Sequence, residues 1–406
     1  MSESLASRAD QSTTVPVLTD AEAVSVAAEL ASAFATGAAS RDAQRSLPAA
    51  EVAQLSASGL LAITVPSEFG GADLPTATVV EVFRLLSVAD PNIGQLPQSH
   101  FVYVDHLRRQ ASQRQKAVLF AEVLRGRWFG NAQSEAGTRH VREFRTTLLP
   151  AGEGRWLLRG RKFYATGALL ADWIPVLAHH GVDGPMAVAW ITRKAPGLEV
   201  LDDWDALGQR TTASGSVLLS DVVVTDEWIT PYAGTFDGPQ SYGALAQVLH
   251  AAIDAGIARA AVTDAAAFVV ASSRPYPDAG VDRAADDPLV VQTFGELELA
   301  VRAAEALLAE AARAVDRANA APDAERAGAA SLAVAAARAA SARAAVDSGN
   351  RLFEVSGSRS AAAGLGLDRH WRNARTHTLH DPAAWKVHHL GRWAVEGTLP
   401  PNHGQL

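Results

Sequence analysis

Residues 156–180 read WLLRGRKFYATGALLADWIPVLAHH, and this stretch decides the fold class. Its two ends, WLLRGRKFYATG (156–167) and WIPVLAHH (173–180), are short and rich in aromatic and branched aliphatic residues. That texture belongs to strands. Two further runs of the same kind follow, MAVAWITR (186–193) and SVLLSDVVVT (216–225), with Asp183-Gly184 as a hairpin signal between the second and third. The change in texture begins near Trp128. Residues 128–233 are therefore expected to form a small antiparallel β domain.

The flanks on either side are helical. Upstream, residues 19–38 offer Thr19 as a cap with acids in the first turn, and further helices are expected over 48–59, 76–89 and 112–125. Pro66, Gly70, Gly71 and Pro75 mark a loop, and a second short loop around Gly94 and Pro97 precedes His100. Downstream, residues 242–272, 288–319 and 326–356 are long and Ala-rich. Ala is the strongest helix former, and Leu, Val and Phe recur among the alanines at helical spacing. A Pro-, Gly- and Asp-rich loop, 274–288, separates the first two. The order is a loose tail (1–18), an N-terminal helical domain (19–127), the β domain (128–233) and a C-terminal helical domain (234–406). This is an α+β architecture with room for a planar cofactor in the crevice between sheet and helices.

Composition narrows the function. The chain has 406 residues, a net charge of −8 and no basic run, which gives no electrostatic reason to bind nucleic acid or an anionic membrane. It has no cysteine, so disulfides, thiolate metal sites and cysteine nucleophiles are excluded, and a cytoplasmic location is permitted. The polar N-terminus lacks the pattern of a signal peptide, and charged residues interrupt every long apolar stretch, so no membrane span is expected. No G-x-G-x-x-G, Walker A, H-E-x-x-H or G-x-S-x-G motif occurs. The adjacent pairs His179-His180 and His388-His389 point in different directions on any regular element, so no metal site is expected.

Three blocks together resemble the acyl-CoA dehydrogenase superfamily: LSASGLLAITVPSEFGG (55–71); WFGNAQSEAG (128–137) with residues 154–178 and LGQRTTASGSVLLSDVVV (207–224); and LGLDRHWRNARTHTLHDPAAWKVHHLG (365–391). They stand in the family's order and span nearly the whole chain. The resemblance implies that the C-terminal helical domain is a four-helix bundle. Departures from the dehydrogenases matter. Where those enzymes carry a glutamate base in a Tyr-Glu-Gly-Thr stretch, this chain has Leu379-His380-Asp381-Pro382. The arginine element that holds the FAD diphosphate reads Arg274-Pro-Tyr-Pro, and the Gln-x-x-Gly-Gly element reads Glu354-Val-Ser-Gly. GNAQSEAG, DDWDALGQRTTASGS (202–216), FYATGA and HWRNARTHTLHDP look instead like the dibenzothiophene monooxygenase branch. That branch implies a two-component monooxygenase. A separate flavin reductase supplies reduced FMN, in preference to FAD. O2 is the co-substrate, and a flavin C4a-hydroperoxide passes oxygen to a small apolar, organosulfur substrate. A homotetramer is implied as well.

Chemistry and resemblance together nominate the site. His380 stands where the dehydrogenases place their base. Asp381-Pro382 reads as a helix start, and the positive end of a helix favours a neutral imidazole that manages a proton beside developing negative charge. His377, three residues earlier, is expected to support it. The resemblance places His100 near the flavin as a second acid/base, Asn131 and Ser134 at the flavin edge, and Thr166 against flavin N5. Trp204 is expected to cover flavin or substrate, and Ser214, Arg274 and Arg375 to hold the FMN phosphate, for which arginine forks are well shaped. Two alternatives stay open: an FAD-dependent acyl-CoA dehydrogenase with Asp381 as base, and a catalytically inactive helical assembly protein.

Overall fold

In the computed structural model, residues 14–140 and 143–404 are described; most of the expected tail falls on residues 1–13, outside them. The N-terminal part holds α1 (Asp20–Ala35), α2 (Ala38–Gln44), α3 (Ala49–Ala57), α4 (Thr76–Ala89), α5 (Pro91–Gln95), α6 (Gln98–Gln110) and α7 (Gln113–Leu124). Thr19 and Glu22 cap α1 reciprocally, and Ser112 and Gln115 do the same for α7. The expected loop before His100 is instead two helices. Asp90 accepts from Asn92 N–H, Pro91 opens α5, and α6 begins straight after Pro97, so the prolines start helices here rather than break them.

The middle of the chain forms one seven-stranded sheet in the order β5-β6-β2-β1-β3-β4-β7. The strands are β1 (Thr147–Pro150), β2 (Arg155–Lys162), β3 (Trp173–His180), β4 (Met186–Thr192), β5 (Leu198–Val200), β6 (Val217–Thr225) and β7 (Ile229–Pro231). It is not wholly antiparallel. β1 lies between β2 and β3 and pairs with β3 in parallel, Thr147 opposite His179. The cause is the link 163–172. It does not form a hairpin but carries the chain past the end of β1, and it contains FYATGALLAD, the segment that builds one wall of the site. β3 and β4 form the expected hairpin, with Asp183 at positive φ in its loop.

Beyond the sheet run α8 (Tyr242–Ser272), α9 (Pro288–Ala320), α10 (Ala324–Ser356), α11 (Asp368–His377) and α12 (Ala383–Glu396). α8 packs on both α9 and α10, α12 is laid along α10 as the fourth member, and α4 joins from the N-terminal side. The fully buried Ala251, Ala252, Ala255, Ala258 and Ala261 of α8 let its neighbours approach closely. One apolar core runs through the N-terminal helices and this bundle, and a second lies between the sheet and α6–α7. The site forms where the two meet.

Candidate active site

One wall comes from the link after β2. Asn131 pins it twice: its backbone N–H donates to Thr166 O (3.0 Å) and its side-chain Nδ2 to Tyr164 O (3.2 Å). The backbone carbonyl of Ser134 accepts from Phe163 N–H (3.0 Å), and the buried ion pair of Lys162 with Glu135 (2.8 Å) holds that strand end. Gly167 has φ +73°, and a Cβ there would meet the Trp128 ring at 2.8 Å and Leu96 O at 3.4 Å. The link therefore lies directly against the start of α6.

Three hydroxyls continue from Thr166 in a line. Thr166 Oγ1 lies 2.8 Å from Ser214 Oγ, Ser214 Oγ lies 2.7 Å from Thr212 Oγ1, and Thr212 Oγ1 donates to Gln209 O (3.0 Å). Each hydroxyl has one proton. Thr212 spends its proton on a carbonyl, so Ser214 donates to Thr212 and Thr166 donates to Ser214. Thr166 Oγ1 is left as an acceptor. Beside it, both side-chain polar atoms of Gln209 and the hydroxyl of Thr211 are buried without a protein partner. Trp204 closes this side, its indole N–H donating to Gln209 O (2.7 Å) and its ring near Phe163 and Tyr164.

The 207–215 loop is locked to the helical wall. Gln209 N–H donates to Asn373 Oδ1 (2.6 Å), and Thr211 N–H donates to Asn92 Oδ1 (3.1 Å). A Cβ on Gly208 would overlap Arg372 O at 2.0 Å, so only glycine admits this contact with α11.

α11 ends at His377, and His380 follows in the turn, its N–H donating to His377 O (3.0 Å). The His380 ring rests on the His250 ring, centroids 3.9 Å apart and planes 34° apart. His250 Nδ1 lies 3.1 Å from His377 Nε2, and His377 Nδ1 lies 2.6 Å from Asp254 Oδ1. Gln95 Oε1 approaches His377 Nε2 at 3.2 Å. Asp254 also pairs with Arg338, Arg338 with Asp381 (3.1 Å), and Asp381 with Lys386 (2.6 Å). His380 is exposed to solvent on one side and crowded by protein on its others. That lost solvation pulls it down to about 4. Arg338, His377 and Lys386 push the same way, against Asp381. Such a histidine is neutral at neutral pH.

The structure corrects several sequence expectations. Asp381 does not cap α12, whose cap position is Pro382 without a side-chain bond. Both Asp381 oxygens are held in buried ion pairs, so it is unavailable as a dehydrogenase base. The neutrality of His380 therefore comes from its surroundings rather than from a capped helix end. His100 is wholly buried in α6. Its Nε2 donates to Leu61 O (2.7 Å) and its Nδ1 accepts from Phe129 N–H (3.1 Å), leaving no nitrogen for acid/base work. Arg274 is exposed just past α8, 24 residues from His250, which is about 36 Å along a helix; its own chain does not bring it to the site. Arg375 lies on α11 between Asn373 and His377, half-buried and without an ion-pair partner among the described residues. The network His250–Asp254–Arg338–Lys386 escaped the sequence reading. Its signal was present: His250 and Asp254, four apart on one face of a largely apolar helix.

Comparison with known proteins gives the following. Residues 21–127, 130–222 and 248–384 match the N-terminal, middle and C-terminal domains of acyl-CoA dehydrogenase. The chain is 33% identical over 399 residues to a dibenzothiophene monooxygenase of Rhodococcus qingshengii, covering 94% of this chain and 95% of that one. It is 33% identical over 387 residues to the probable FMNH2-dependent monooxygenase SfnC of Pseudomonas putida, covering 93% and 96%. Its fold superposes on FMN-bound TdsC of Paenibacillus sp. A11-2 with a TM-score of 0.89 at 33% identity, covering 95% and 100%.

Proposed function

This chain belongs to the acyl-CoA dehydrogenase superfamily, and on that footing we propose that it is a reduced-FMN-dependent monooxygenase of organosulfur compounds. The observation that carries the reading is an exchange in the turn after α11. An exposed, neutral imidazole, His380, stands there, and the neighbouring carboxylate, Asp381, is tied off by Arg338 and Lys386.

The residues fit a flavin. The unpartnered carboxamide of Gln209 and hydroxyl of Thr211 await a polar-edged ligand beside the hydroxyl line. Thr166, Asn131, Ser134, Ser214 and Trp204 make the wall on the sheet side. Arg375, free of an internal ion pair among the described residues, is the arginine assigned to the phosphate. Reduced FMN supplies the two electrons that activate O2. Thr166 Oγ1, left as an acceptor by the hydroxyl line, suits the ring N–H that only reduced flavin carries. His380, neutral at rest, has one nitrogen that donates a hydrogen bond and one that can take up a proton.

A flavin reductase as the source of FMNH2 belongs to the same proposal, as does a cytoplasmic setting in which the two proteins meet. Among the described residues, no single helix is long and apolar enough to cross a membrane. A homotetramer is also proposed. It would cover Leu289 and Leu299 of α9 and Trp385, Trp393 and Val395 of α12, apolar residues left largely exposed in one chain.

The test is direct. Purified protein should bind reduced FMN and consume O2 only with NADH and a reductase. It should place one atom of 18O2 in the product from one member of a panel of sulfides, sulfones and sulfonates. His380→Ala should cut oxygenation by about a hundredfold or more. A yellow protein bleached by an acyl-CoA would overturn the reading.

A further inference from the structure

We propose that His250, fixed in one ring orientation by His377 and Asp254, is a positioning residue: the platform that orients His380 and holds it in the neutral form. The inference rests on His380 as the proton-managing group and adds how the chain keeps it so.

The geometry is directional. Asp254 is fully buried and accepts from His377 Nδ1 at 2.6 Å. His377 Nε2 then lies 3.1 Å from His250 Nδ1 and 3.2 Å from Gln95 Oε1 on the α5 side. A ring held at one nitrogen by an ordered partner cannot flip without losing that bond. His250 is 2% exposed, so its ring face shields His380 from water on the side away from the crevice. Among the described residues, the two carboxylates beside the pair are both taken. Asp254 on α8 is shared by His377 of α11 and Arg338 of α10, and Asp381 in the turn by Arg338 and Lys386 of α12. A charged His380 would find no free anion there, and a charged His250 would lie 3.9 Å from the ring it supports. His250 itself is held well below the ordinary histidine range, first by burial and then by His380, His377, Arg338 and Lys386. The platform is therefore neutral too, and hydrogen bonding rather than charge sets its orientation.

The experiment is a histidine-selective NMR titration of the flavin-free full chain, paired with the pH profile of turnover in the loaded enzyme. In the native protein the His380 midpoint is expected well below the ordinary 6.5, so its ring signals should stay those of the neutral form down to the pH at which the chain unfolds. In His250→Ala the shielding face is gone, and the midpoint should move toward the ordinary 6.5. The acid limb of turnover should move with it. Asp254→Asn keeps every ring but cuts the line that fixes them, and should change the tautomer-sensitive ring signals of His377 and His250. His250→Phe restores a flat face and should recover most of the shift. A folded His250→Ala with an unmoved midpoint, or a folded Asp254→Asn with unmoved His250 ring signals, overturns the proposal. The functional reading fails separately, if His380→Ala oxygenates normally.

Discussion

Asp381 and Lys386 form a buried ion pair, with 2.6 Å between Oδ2 and Nζ and each side chain less than a tenth exposed. Five residues apart, they clamp the turn that carries His380 onto the root of α12. Arg338 takes the other oxygen of Asp381, so the carboxylate has no face left for a substrate.

That clamp predicts a non-additive pair of substitutions. Asp381→Asn alone removes the buried negative charge that Lys386 and Arg338 share and should destabilise by about 3–5 kcal/mol. Lys386→Met alone should cost less, because Arg338 still faces Asp381. The double variant leaves Arg338 with Asp254 and should be more stable than Asp381→Asn. Urea denaturation of the three variants measures the coupling. A double variant as weak as the sum of the singles would show that the clamp is not a unit.

Acid should unfold the protein through its buried histidines. Burial lowers His100 to about 4 and His106 to about 3, and holds His250 well below the usual range. A depressed histidine pKa means that the unfolded chain takes up protons the folded chain refuses. Stability is therefore complete above about 6.5 and falls as the pH drops below it. These three contribute about 4 kcal/mol per pH unit of slope near pH 5, and His380 and His370, both lowered, add to it. Melting temperatures between pH 7 and 5 check the slope, and His106→Phe, which removes one such group, should reduce it by about 1.4 kcal/mol per pH unit.

The hydroxyl line predicts a redox preference in binding. With Thr212 donating to Gln209 O, Thr166 accepts, and reduced FMN should bind more tightly than oxidised FMN. Thr212→Val frees the Ser214 proton and lets Thr166 turn into a donor. One hydrogen bond is worth about 0.5–1.5 kcal/mol, so the ratio of the two dissociation constants should shrink by about three- to tenfold. Anaerobic and aerobic titrations with FMN read that ratio, and an unchanged value would detach the line from the flavin.

Much of this architecture was legible in the sequence, for identifiable reasons. The strands announce themselves because aromatic and branched residues cluster between 156 and 225, and the long helices because Ala dominates 242–356. Thr166 and His380 were nominated by local motifs and lie in the two walls brought together by the Gln209–Asn373 bond. The parallel placement of β1 was not legible, since nothing local distinguishes a ten-residue crossover from a loop. Nor was the fate of His100. Whether an imidazole faces a cavity or satisfies Leu61 O and Phe129 N–H depends on residues 39 and 29 positions away. The relay through His250 shows the same limit, because its partners come from α5, α10, α11 and the turn before α12.

Gly167 is where backbone conformation and the site meet most tightly, and it supports a prediction with an internal control. Its φ of +73° is left-handed, and an added Cβ would lie 2.8 Å from a ring atom of Trp128, which is only 2% exposed and has no room to withdraw. Gly152 has a similar φ of +80° with nothing within 4 Å of the same hypothetical atom. Gly152→Ala therefore measures the backbone penalty alone, about 1–2 kcal/mol. Gly167→Ala carries that penalty plus the overlap, and should lose at least another 1–3 kcal/mol. It should also pull Thr166 away from Ser214, so that FMN binding weakens with stability in this variant and not in Gly152→Ala. Thermal melts and FMN titrations of the two proteins side by side separate the terms. Equal losses in both would mean that the Trp128 contact does not hold Thr166 in place.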